Sequence, residues 1–158
     1  MASFRLAFAA DLRAPDCFFF TCERVRSPQV DRSTLQSHAN GVTGLKALML
    51  TAPCAADFTD FLSVVARAGA ESAAAGISMQ TGNVRINVMD DADFAKRFGS
   101  ESFRDPGLRL RSIVFGVRDM EKLQSLLQAS DVSYDKHGPM IAVPPAAGQG
   151  AFFMFEEE

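Results

Sequence analysis

Residues 45–65 read LKALMLTAPCAADFTDFLSVV, and residues 110–127 read LRSIVFGVRDMEKLQSLL. Each starts as an apolar strand, passes through a short polar turn and continues with apolar residues three and four apart, the spacing of one helix face. In the first copy Phe58, Phe61, Leu62 and Val65 mark a helix over about residues 58–68. In the second, Leu123, Leu126 and Leu127 mark one over residues 120–129. Each copy leads into short strand-like runs. A strand–helix–strands unit cannot bury its apolar face alone, so two copies imply units that pack together around a shared cavity.

The strand of the first unit is expected over residues 44–52 and that of the second from Leu108 onward. Asp57 and Asp119 stand where an N-cap would precede each helix. After the first helix, residues 69–76 read as a small-residue connection. Residues 77–80 and 84–89 read as strands around Gly82-Asn83, and residues 91–98 as a short helix capped by Asp90 or Asp91. Residues 99–107 read as a loop. After the second helix, residues 132–135, 140–143 and 151–155 read as three strands.

Upstream, FRLAFAA (4–10) and CFFFTCE (17–23) form a hairpin around DLRAPD, and residues 24–40 form a polar linker containing Pro28. This hairpin is similar to the one that closes each unit, MIAVPPAAGQGAFFMFEE (140–157) above all. On this reading residues 1–37 are the tail of an upstream unit followed by a linker. Residues 38–158 hold two complete units, about 44–98 and 108–158. A hairpin without its own unit leaves an unpaired apolar edge, which predicts truncation from a longer protein, ahead of a hairpin that completes a neighbouring subunit, and in either case a homodimer.

The 158 residues suffice for one domain with a core. A net charge of −3 with no basic cluster disfavours nucleic acid as a partner. Apolar runs such as FFFTC and ALML are too short to span a membrane, and no basic flank leads into an apolar leader, so a cytoplasmic setting is expected. Three cysteines, Cys17, Cys22 and Cys54, without C-x-x-C spacing point to reduced, buried thiols.

The segments 4–23, 38–53 (HANGVTGLKALMLTAP), 110–127 and 136–156 together resemble the vicinal oxygen chelate superfamily of glyoxalase I, bleomycin-resistance proteins and extradiol dioxygenases, and more narrowly bacterial glyoxalase-like domain proteins. The resemblance implies an α+β fold in which two βαβββ units pair into a curved, mixed, mostly antiparallel sheet around a cleft, here preceded by the extra hairpin. In metal-dependent members it implies ligands near the third position of each unit's first strand and in each unit's last strand. Those positions are Ala47, Ser112, Asn87 and Met154; a one-residue slip gives Lys46, Arg111, Val88 and Phe153 or Phe155. None is a histidine or carboxylate, which divalent ions in such sites need. No metal and no cofactor is therefore expected in these units.

The expected function is binding of a small, partly apolar molecule in the cleft, or support of a lyase or isomerase step. The alternatives are a metal-dependent glyoxalase or dioxygenase, and a structural half of a longer enzyme. The candidate ligand-binding residues are His38, Arg85, Asn87 and Met154. His38 precedes a strand and titrates near working pH, against a plain role as a turn residue. Arg85 and Asn87 share one face of the strand VRINVM and would bind a carboxylate or carbonyl if that face lines the cleft. Met154 joins Met79, Met89 and Met140 as a candidate apolar lining, against core filling. His137 reads as an exposed turn residue, Arg109 and Arg111 as a solvated face, and Glu156 to Glu158 as a solvated end. No triad or nucleophile elbow is present.

Overall fold

A computed structural model describes residues 2–26, 31, 33–99 and 107–158. Pro28 and the rest of 27–30, residue 32, and residues 100–106 of the expected loop lie outside the described residues.

The first unit runs β3 (Val42–Ala52), α1 (Thr59–Ala66), β4 (Glu71–Ala73), β5 (Gly76–Gln80) and β6 (Arg85–Asp90), and is followed by α2 (Asp91–Phe98). The second runs β7 (Arg109–Val117), α3 (Met120–Ala129), β8 (Asp135–His137), β9 (Met140–Val143) and β10 (Phe152–Glu157). The units share one sheet of order β4-β5-β6-β3-β7-β10-β9-β8. At its centre β3 and β7 lie antiparallel, with Ala47 opposite Val114 and Met49 opposite Ser112. Each first strand takes its own unit's last strand in parallel: Ala47 with Arg85, and Ser112 with Phe152. This is the expected βαβββ pairing, repeated about a pseudo-twofold between β3 and β7.

The helices follow from their apolar faces. Phe58 and Leu62 of the first unit pack on Leu50, Met79, Ile86 and Val88. Met120 and Leu123 of the second pack on Val117, Ile141 and Phe155. Each such burial contributes about 1.5–3 kcal/mol. Met79 thus serves the helix layer of unit one rather than the cleft. Asp119 caps α3, its carboxylate accepting from the Lys122 N–H at 2.8 Å.

Some local expectations are corrected. Asp57 does not cap α1: a 3-10 turn over Ala55–Phe58 takes it up, and α1 starts behind Phe58. Neither does the Asp90 side chain cap α2, because its carboxylate accepts instead from the Ala55 N–H at 2.7 Å, tying the end of β6 to that turn. Residues 71–73 form the edge strand β4, not a plain connection. The strand expected at 132–135 begins at Asp135: Asp131 has φ +53° and the Val132 N–H returns to the Leu127 carbonyl at 2.9 Å, so the chain is still closing α3 there. Cys22 and Cys54 are exposed, and Cys17 is half-buried.

The hairpin of β1 (Ser3–Ala10) and β2 (Phe18–Arg26) forms its own two-stranded sheet. Its turn is fastened to the body. Ala14 is buried in the core of unit one, and Phe19 meets Phe61 edge-on at 5.9 Å. The Arg13 guanidinium donates to the Asp57 carbonyl at 2.7 Å, and Asp16 pairs with Arg109 at 3.0 Å. The Arg13–Asp11 ion pair stiffens this turn and holds the Asp11 carboxyl at a pKa of about 2. The free strands carry Phe4, Leu6, Phe8, Phe18 and Phe20 on one exposed face.

Candidate functional site

Alternation along the four inner strands decides what faces the concave side of the sheet. On β3 these residues are Ala47 and Met49; on β6, Arg85, Asn87 and Met89; on β7, Ser112 and Val114; on β10, Phe152, Met154 and Glu156. Helix α2 packs on this side against β6 and β3, and its rings reach across to β10. Phe94 and Phe98 are buried there, with ring centroids 6.0 and 6.4 Å from Phe152, in one cluster with Ala47, Met49, Met89, Val114, Met154 and Ala142. His137 is half-buried and meets Phe98 at 5.1 Å, which corrects its reading as an exposed turn residue: the end of β8 flanks α2.

Arg111 is also corrected. It is only 7% exposed, with its guanidinium 5.6 Å from the centre of the Phe94 ring. Burial lowers its pKa, and the nearby Asp91 carboxylate opposes that shift. An arginine stays protonated under such a shift, and the ring face accepts the charge.

What α2 leaves open is a cleft of about 560 Å³ along the unit-one side. Arg85 and Asn87 line it together with Ala47, Met49, Met89 and Val114. Around the rim stand Lys46, Gln80, Asn83, Arg97, Met140 and Glu156. The Ser78 hydroxyl donates to Asn87 Oδ1 at 2.9 Å and orients that amide. Lys46 pairs with Glu158 at 2.6 Å, and hydrogen bonds from Lys46 and Thr43 hold the Glu158 carboxyl below the ordinary glutamate range.

Of the four residues expected to bind a ligand, Arg85 and Asn87 are on the cleft wall. Met154 is fully buried beneath α2, and His38 lies away from the cleft in a turn whose carbonyl accepts from the Gly41 N–H at 3.0 Å. Glu157 and Glu158 are exposed, as a solvated end would be, but the C-terminal acids also make contacts. Glu156 lines the cleft, Glu157 accepts from the Met120 N–H at 3.1 Å at the start of α3, and Glu158 holds Lys46. Sequence reading missed Lys46, Met49, Gln80, Asn83 and Arg97. For Met49 the alternation of β3 carries a signal; Lys46 sits at a register shift of β3, and Arg97 is on α2, so for these two nothing local does.

The positions at which the resemblance implies metal ligands hold Ala47, Asn87, Ser112 and Met154. Ser112 and Met154 have no exposed surface. This donor set, one hydroxyl and one amide, does not fit a divalent ion. Among the described residues no three His, Cys, Asp or Glu side chains come together as a metal site requires.

The fold has clear counterparts. The chain is similar to hypothetical protein BH1468 from Bacillus halodurans C-125, with a TM-score of 0.54 and 15% identity over 73% of this chain and 94% of that one. It is similar to methylmalonyl-CoA epimerase from Mycobacterium tuberculosis, with a TM-score of 0.53 and 13% identity over 76% of this chain and 95% of that one. No family model matches the chain, and no curated protein matches it in sequence. These likenesses show the fold: the chain has the same α+β architecture as these two proteins, with the two βαβββ units joined in one mixed sheet. No described helix is long and apolar enough to cross a membrane.

Proposed function

We propose that this protein binds a small, partly apolar molecule in the cleft along β3 and β6, without metal chemistry in these two units. The observation that carries the reading is the asymmetry of the concave face. Arg85 and Asn87 stand open on its β6 side, Phe94 and Phe98 cover Phe152 and Met154 on its β10 side, and Met49 and Met89 lie between, touching both. A cleft of this size with placed polar groups beside apolar surface is what small-ligand sites share. A lyase or isomerase step in this cleft would need a proton acceptor, and Glu156 is the carboxylate on its lining.

The test is a small-molecule fragment screen on methyl-labelled protein. Hits should move the methyl signals of Met49, Met89 and Met140 and leave Met79 unmoved. Hits that avoid those three methionines would overturn the binding reading. Stoichiometric zinc, nickel, manganese or iron in protein purified from unsupplemented medium would overturn the no-metal reading in favour of a metal-dependent glyoxalase or dioxygenase.

A second reading is favoured by the hairpin. Its exposed row of Phe4, Leu6, Phe8, Phe18 and Phe20 is a continuous apolar face of the sort that marks an interaction site. We assign it to homodimerisation. A monomeric mass at micromolar concentration would overturn that assignment.

A further inference from the structure

We infer that the cleft selects a small organic oxyanion, a carboxylate or phosphate head on an apolar body; this rests on the binding reading above. The charges on the lining carry the inference. Lys46, Arg85 and Arg97 face it, against Glu156 alone. Lys46 is neutralised by Glu158 at 2.6 Å. Arg85 and Arg97 enter none of the ion pairs among the described residues. Arg85 Nε has only a long contact to the neutral Gln80 Oε1, at 3.4 Å, and the Arg97 guanidinium sits 5.4 Å from the Phe98 ring centre. Neither contact cancels a charge. Two guanidinium groups outside the ion pairs of the described residues, set against the one carboxylate of Glu156, therefore leave this cleft net positive in a chain whose net charge is −3. A concave wall of low dielectric concentrates such a field and draws anions to it.

The hydrogen-bonding groups agree. Asn87 Oδ1 is occupied by the Ser78 hydroxyl, which leaves its Nδ2 hydrogens as the donors offered to a ligand. They stand two residues along the same strand face from Arg85, so the polar wall presents donors where an oxyanion needs them. Ala47, Met49, Met89 and Val114 continue the wall with apolar surface, and methionine adapts to bodies of different shape.

The experiment titrates the whole chain with hexanoate, monohexyl phosphate and hexanamide, following the Asn87 amide and the Met49 and Met89 methyl signals by NMR. At least one anion should bind about ten-fold more tightly than the amide, the scale of a charge-assisted hydrogen bond at a partly exposed site. Arg85→Gln should abolish that preference and leave the rest of the spectrum in place, because Arg85 is exposed. Equal binding of anions and amide in the cleft would overturn the oxyanion inference while leaving the binding reading intact. If none of the three moves the cleft signals, or if they move only the hairpin phenylalanines, both fall together.

Discussion

On β6 the cleft-facing residues are Arg85, Asn87 and Met89; at the equivalent places on β10 stand Phe152, Met154 and Glu156. The backbone positions are related by the same pseudo-twofold, since Arg85 flanks Ala47 as Phe152 flanks Ser112. What separates them is α2, which follows only the first unit, packs against β6 and β3, and reaches Phe152 of the second with Phe94 and Phe98. A cover carrying Phe94 and Phe98 demands an apolar surface beneath, because a polar side chain there would lose its water without gaining a partner. The uncovered wall is released from that demand and can carry charge. Duplicating a unit therefore fixed the backbone, and one added helix divided the two copies into a packed wall and a wall open to chemistry.

Exchanging residues between the walls is the strongest way to break this comparison. Phe152→Arg should destabilise the protein by about 3 kcal/mol, since it puts a charge under Phe94 and Phe98. Arg85→Phe, the mirror change, should cost under about 0.5 kcal/mol. Urea unfolding at unchanged slope measures both, and equal effects would show that α2 does not distinguish the walls. A smaller effect is expected at the floor. Ser112 is fully buried and its hydroxyl has no hydrogen-bond partner among the described residues. Ser112→Ala should therefore stabilise by about 1 kcal/mol, and a loss of stability would show that the hydroxyl is satisfied.

The smallest effect concerns the rim. The Glu158 carboxyl is depressed in the folded protein, so its pairing with Lys46 is complete above the unfolded value and is lost as pH falls through the lower, folded one. A carboxyl-carbon titration should give a midpoint below the ordinary glutamate range, restored upward in Lys46→Met. An unshifted wild-type midpoint would mean that Lys46 is free to add its charge to the cleft.

Much of the architecture could be read from the chain, because the periodicities that build strands and helices are local. The Asp119 cap, α3 over residues 120–129 and α2 over 91–98 all rest on spacing within a few residues. The placement of α2 does not. Phe94 and Phe98 announce an apolar helix face, but only the sheet's two-sidedness decides that this face packs on the concave side, among Met49, Met89, Val114 and Met154, and not on the outer layer. That one choice hides Met154, buries Arg111 and brings Arg97 to the rim. Arg111 misleads for a related reason: an isolated charge in a strand is normally solvated, and here an aromatic ring on a distant helix receives it. Glu157 and Glu158 were opaque because each has a partner far away in sequence, the Met120 amide and Lys46. Arg85 and Asn87 were legible as a pair by alternation alone; which side of the sheet they face was not.

The way the hairpin is fastened has a mechanical consequence. Gly107 has φ +104° and approaches so closely that a side-chain carbon there would sit 2.7 Å from the Arg13 carbonyl oxygen and 2.9 Å from the Ala14 Cα. Two residues on, Arg109 grips Asp16, and two further, Arg111 lies over Phe94. The free strands of the hairpin are thus a lever arm whose fulcrum is its own turn. A load taken up by their phenylalanines is delivered as torque to the first residues of β7, one contact away from the helix that closes half the cleft.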